Sequence, residues 1–140
     1  MKNKAPLALM EQLVMILVFA LAAALCLRLF ALSDALSSSG AVRDQAVIAV
    51  QNAAETLKMS GGSFDKLSEL AGGEAEDGVW RMGYDAQWNA AQEGKAVYIV
   101  SAEKKETEHP LLGGADVCAR RADGKALFAV SVCWQEDGHE

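Results

Sequence analysis

From Leu13 to Leu27 the chain reads LVMILVFALAAALCL, a run with no charge and no polar side chain other than the thiol of Cys26. Allowing Glu11, Gln12 and Arg28, the apolar stretch extends from Leu7 to Leu32. As a helix it reaches roughly 39 Å at about 1.5 Å per residue, enough to cross a hydrocarbon core of about 30 Å. A membrane-spanning helix over 7–32 is therefore the expected state, with bilayer lipid as its first partner. Cys26 reads as a small hydrophobe within it.

A cleaved secretory signal is the competing reading, because Lys2 and Lys4 precede the run and small residues follow at Ala31, Ser33 and Ala35. A usual signal core is about 7 to 15 residues, and Leu29, Phe30 and Leu32 carry this one past Arg28. Retention is expected instead. Lys2 and Lys4 on the short N-terminal flank then place that end in the cytoplasm and the C-terminal part outside it.

Beyond the apolar run, SDALSSSGAVRDQAVIAVQNAAETLK from Ser33 to Lys58 has no proline and one glycine, so helix can continue with a soft spot at Ser37 to Gly40. Val42, Ala46, Ala49 or Val50, Ala53 and Leu57 recur every three to four residues and predict an apolar stripe. Ser60-Gly61-Gly62 is the expected stop. Ser63 is placed to N-cap a short helix from Phe64 to Ala71, closed by Gly72 and Gly73. GGEAEDG, from Gly72 to Gly78, reads as an acidic solvated loop.

After that loop the period becomes two. Four strands are expected, near Val79 to Trp88, Ala96 to Glu103, Ala115 to Ala122 and Ala126 to Gln135. In the last, Phe128, Val130, Val132 and Trp134 share one apolar face. Such a face must be covered, and the stripe from Val42 to Leu57 is the longest partner available. The fold class expected is α+β: a long N-terminal membrane-spanning helix whose outer half packs on a small four-stranded antiparallel sheet. The segments are a basic leader-like piece at 1–6, a transmembrane helix at 7–32, its amphipathic continuation at 33–58 and an extracytoplasmic domain at 59–140.

Asp123-Gly124 predicts a two-residue hairpin turn between the last two strands. Ala122 then opposes Lys125 and Cys118 opposes Ala129, leaving Cys118 four residues from the partner of Cys133. At about 3.3 Å per residue the two thiols stand roughly 13 Å apart, beyond the ~7 Å Cα limit for a bridge. They are expected not to be bonded to each other.

Composition narrows the function classes. Residues 34–140 hold 10 Lys+Arg against 18 Asp+Glu, and no basic stripe interleaved with aromatics occurs, which argues against nucleic-acid contact. No nucleophile elbow, phosphate-binding glycine loop or Cys/His pair appears, so no catalytic residue is assigned. His109 and His139 stand isolated, with no metal-ligand spacing and no cofactor pattern. Trp80, Trp88 and Trp134 lie at strand positions and read as core rather than as a ligand surface. Arg28 reads as snorkelling to the outer headgroups. Ala20, Ala22, Ala23 and Ala24 form a small-residue surface that permits close helix approach, a weak signal in a membrane helix.

The order of parts is similar to that of the type IV pilin and pseudopilin family: a short basic leader, an apolar helix with one early glutamate, an amphipathic continuation, then a small antiparallel sheet. KAPLALMEQLVMILVFALAAAL carries the local resemblance through Glu11. The resemblance implies a non-enzymatic structural subunit that assembles through its N-terminal helix. It also implies a prepilin-type peptidase, a membrane platform protein, an assembly ATPase and other pilin-like subunits as partners. It implies a type IV pilus, type II secretion or DNA-uptake machine as the setting. In the family the glutamate is fifth in the processed chain and pairs with the N-terminal amine of a neighbouring subunit. Counting back from Glu11 makes Leu7 the first residue after cleavage, with Ala5, Pro6 and Leu7 as the cleavage region, and Pro6 stands where the family has glycine.

On physical grounds alone two roles fit Glu11. A carboxylate in an apolar helix costs about 2.5 to 3.5 kcal/mol at the membrane centre and is retained for a partner. At the cytoplasmic interface, water and the helix dipole stabilise it without one. The resemblance implies the first. The other architecture compatible with the sequence is a bitopic binding module whose helix is only an anchor, and a third is a soluble domain released by signal peptidase.

Overall fold

The computed structural model describes residues 4–136. Helix α1 runs Ala5–Met59 and crosses Ser37 to Gly40 without interruption. The chain divides into two compact units between Ala41 and Val42. In the first, every described residue is exposed, including Leu13, Ile16, Phe19 and Phe30. No proline follows Pro6 in this helix, and Pro6 sits in its first turn, where a missing N–H removes no helical bond.

The second unit is the α+β domain. It contains the C-terminal end of α1 from Val42, helix α2 (Phe64–Ala71) and six strands: β1 (Glu74–Glu76), β2 (Val79–Tyr84), β3 (Ala90–Ala91), β4 (Tyr98–Lys105), β5 (Leu112–Arg121) and β6 (Ala126–Gln135). All pairings are antiparallel, in the order β1-β2-β4-β5-β6, with β3 also on β2. The sheet is therefore larger than the four strands expected.

Both additional strands arise from turns. In the acidic stretch, Asp77 (φ 51) and Gly78 (φ 75) form a two-residue turn with both centres at positive φ, so Glu74–Glu76 folds back on Val79–Arg81 instead of staying a loop. After Tyr84, the Asp85 carboxylate accepts from the backbone N–H groups of Gln87 and Asn89, each at 2.9 Å. That turn ends β2 short of Trp88 and returns Ala90–Ala91 alongside Gly83 and Tyr84.

The stop of α1 follows from glycine geometry. Gly62 N–H donates to Leu57 O at 2.9 Å and Gly61 N–H to Lys58 O at 3.1 Å, both residues at positive φ, which closes the helix in a Schellman arrangement. Ser63 then N-caps α2, its hydroxyl accepting from Lys66 N–H.

The core lies between α1 and one sheet face. Ala46, Val50, Ala53, Ala54 and Leu57 are buried against Trp80, Val100, Ala102, Ala115, Val117, Val132 and Trp134, with Phe128 and Val130 partly buried beside them. This is the stripe and the β6 face that the periodicities predict. Alanines contribute from both sides of this interface, while Leu57 and Trp80, both within 1% of full burial, supply the bulk.

The hairpin between β5 and β6 differs in detail from its expectation. Arg121 N–H donates to Lys125 O and Gly124 N–H to Arg121 O, so the loop holds Ala122, Asp123 and Gly124, and Gly124 is at φ 93. A bulge between Ala119 and Arg120 absorbs the extra residue, and Cys118 still opposes Ala129. Cys133 opposes Gly114, and all three cysteines are free.

Candidate functional site

The surface singled out by the sequence lies on α1. Ala5, Pro6 and Leu7 occupy its first turn, where Ala8 N–H donates to Lys4 O at 3.2 Å, and all three are exposed. Glu11 sits one turn further on, also exposed. Helical spacing places Leu7, Ala8, Val14, Met15 and Val18 around it, so its carboxylate emerges from an otherwise apolar surface. Among the described residues no cation lies within ion-pair distance of Glu11, the one ion pair there being Lys105–Asp116. Arg28 and Cys26 are exposed on the same helix, with no charged residue between Glu11 and Arg28. By length and composition this helix can cross a membrane.

In the second unit the tryptophans belong mainly to the core. Trp80 is buried and its Nε1–H donates to Gly72 O at 2.9 Å, tying the end of α2 to β2. Trp134 is buried where β6 passes Gly113 of β5. Trp88 is partly buried and stacks on Tyr98 with centroids 4.3 Å apart and an interplanar angle of 6°. Its φ of 63 is unusual for a bulky residue, and the Asp85 turn holds it there. Burial raises the Tyr84 hydroxyl pKa above its ordinary value.

The opposite sheet face carries polar rows. Arg81, Ser101, Cys118 and Ala129 are successive cross-strand neighbours, and Ser101 Oγ lies 3.2 Å from Cys118 Sγ. In the adjacent row Asp116 accepts from the Ser131 hydroxyl and pairs with Lys105 at 3.4 Å. These two contacts, the hydroxyl first, hold the Asp116 carboxyl below the usual carboxylate range. The Asp85 carboxyl is lowered too, by the Asn89 and Gln87 N–H groups. Neither carboxylate was singled out from the sequence. For Asp85 a signal existed in the run Asp85-Ala86-Gln87-Trp88-Asn89 between two apolar segments; for Asp116 the partner is known only from the strand register.

His109 is exposed, and His139 lies outside the described residues. Among the described residues no group of three or more His, Cys, Asp or Glu side chains is placed to hold a metal ion. The chain's distinctive surface is the long apolar exposure of α1 around Glu11. Comparison with known protein families, curated proteins and solved structures finds no match.

Proposed function

We propose that this chain is a pilin-like or pseudopilin-like structural subunit, held in the cytoplasmic membrane by the N-terminal part of α1 and assembling through that helix with similar subunits. The observation that carries the reading is Glu11: an exposed carboxylate in the second turn of an apolar helix, with no cation beside it among the described residues. In a bilayer such a group is stabilised by a partner cation, and the N-terminal amine of a neighbouring helix supplies one without adding a charge to the apolar run. The continuous helix from Ala5 to Met59 supports the reading, since it joins the apolar segment to the element on which the domain is built. A prepilin-type peptidase, a platform protein and an assembly ATPase are the partners this reading requires. Which machine they form is set by those partners.

The test is co-purification and assembly of tagged and untagged copies from membranes, comparing the parent chain with Glu11→Ala and Glu11→Gln. Loss of association in both, with unchanged membrane insertion, supports the reading. Unchanged association sinks it. The intact mass of the mature chain separates the alternatives, because removal of a leader, no removal, or removal of roughly 33 to 35 residues by signal peptidase correspond to the three architectures.

A further inference from the structure

Strand β6 ends the sheet, and nothing among the described residues pairs with its outer edge. The ladder with β5 sets the direction of its free groups, since Glu136 N–H donates to Leu111 O. Antiparallel partners alternate between bonded and non-bonded pairs, so Gly113–Trp134, Ala115–Val132 and Val117–Val130 are the bonded ones. The backbone N–H and C=O of Ala129, Ser131, Cys133 and Gln135 therefore point away from the sheet. Phe128 opposes Ala119 while Ala126 already opposes Arg120, so Leu127 is bulged and the regular edge begins at Phe128.

The features that normally close such an edge are missing here. ALFAVSVCWQ carries no charge and no proline, whereas at the opposite edge β1 is three residues long and carries Glu74 and Glu76. The core side of β6 is also incompletely covered. Val132 and Trp134 are buried, yet Phe128 and Val130 in the same row are only partly so. On the other side Ala129, Ser131 and Cys133 are small and exposed.

We propose that β6 pairs antiparallel with β6 of a second copy, with Ser131 on the two-fold axis. In that register Phe128 faces Trp134 and Val130 faces Val132. Each half-covered side chain of one copy thus meets a buried one of the other, aromatic against aromatic and β-branched against β-branched. On the opposite side Ala129 faces Cys133 and Ser131 faces itself, so no bulky or charged group intervenes. Neighbouring registers fit worse. Centring on Val130 runs the pair into the bulge at Leu127, and centring on Val132 sets Glu136 against Phe128. Charge selects the orientation: antiparallel pairing brings Lys125 of each copy to the end that carries Glu136 of the other, while parallel pairing stacks like on like. The strand is complementary to itself, which is what commits the edge to a second copy.

Seven paired residues from each copy make a contact too small to hold two chains together through purification, so it is trapped covalently. The full-length chain with Cys26→Ser and Cys118→Ser keeps Cys133 as its one thiol. Adding Ala129→Cys places a second thiol opposite Cys133 of the other copy, and mild oxidation in detergent micelles is expected to give about tenfold more covalent dimer than without it. Gln135→Cys, equally outward but facing Leu127, is expected to stay at background. The Ala129→Cys dimer is lost when Cys133→Ser is added. It is lost also with Ser131→Lys, which sets two ammonium groups opposite one another, and kept with Ser131→Thr. Equal dimer from Ala129→Cys and Gln135→Cys, or none from Ala129→Cys, overturns the proposal, as does a dimer that survives Ser131→Lys. The readout is which position bridges, so it fails or succeeds separately from the Glu11 association test.

Discussion

Gly62 and Trp134 occupy one another's space: a Cβ on Gly62 would stand 2.2 Å from the Trp134 ring, and Gly62 is also at φ 80. One glycine thus ends α1 and admits the largest side chain of β6. Gly113 faces the same ring with the same 2.2 Å approach. Gly62→Ala must both strain the cap and displace a buried indole, so a loss of about 2 to 4 kcal/mol in urea unfolding is expected. Gly61→Ala shares the positive φ but meets open space, and is expected to lose only about 1 kcal/mol. Equal losses for the two variants would show that Trp134 is not seated on Gly62.

These contacts mark where the sequence was legible. The α1 stripe and the β6 face stand out because each repeats a strong period over ten residues or more, and Ser63 and Gly62 stand out because cap chemistry is local. Strands β1 and β3 are hidden because they are two or three residues long and owe their pairing to turns rather than to apolar patterning. β5 begins before Ala115, at Leu112, because Trp134 supplies the volume that Gly113 lacks, a contact no local reading contains. Glu11 is conspicuous as a residue in the sequence, but nothing among the described residues pairs with it.

Leu57 is fully buried between α1 and the sheet, at the end of the helical stripe. Leu57→Ala is expected to cost about 2 to 5 kcal/mol, since the side chains around it cannot all collapse into the space. Ile48 on the same helix is 49% exposed, and Ile48→Ala is expected to cost below about 1 kcal/mol. Denaturant melts of the two variants in the same micelles check the orientation of the helix on the sheet. A larger loss at Ile48 would place the wrong face inward.

The Asp85 turn makes stability depend on acid. Its folded carboxyl pKa is lowered by the Asn89 and Gln87 N–H groups, so its stabilisation is complete above the ordinary carboxylate value near 3.9 and is lost as pH falls through the lowered folded value. Thermal melts from neutral pH down to about pH 2 should therefore show a smaller acid-induced drop for Asp85→Ala than for the parent, with the variant less stable at neutral pH. Parallel pH profiles would mean that Asp85 does not hold β3 against β2.

The cysteines give a direct check of the β5–β6 register. Cys133 is exposed beside the open edge, whereas Cys118 is partly buried with Ser101 Oγ at 3.2 Å, four residues from the position opposite Cys133. At that separation no strand movement short of a register shift brings the two sulfurs together. Mild oxidation of a Cys26→Ser chain is therefore expected to give no intramolecular bridge. A thiol reagent should label Cys133 several-fold faster than Cys118, because the slower group must first be uncovered. A non-reducing mobility shift abolished by Cys118→Ser would overturn the register that sets Cys118 opposite Ala129 and Cys133 opposite Gly114.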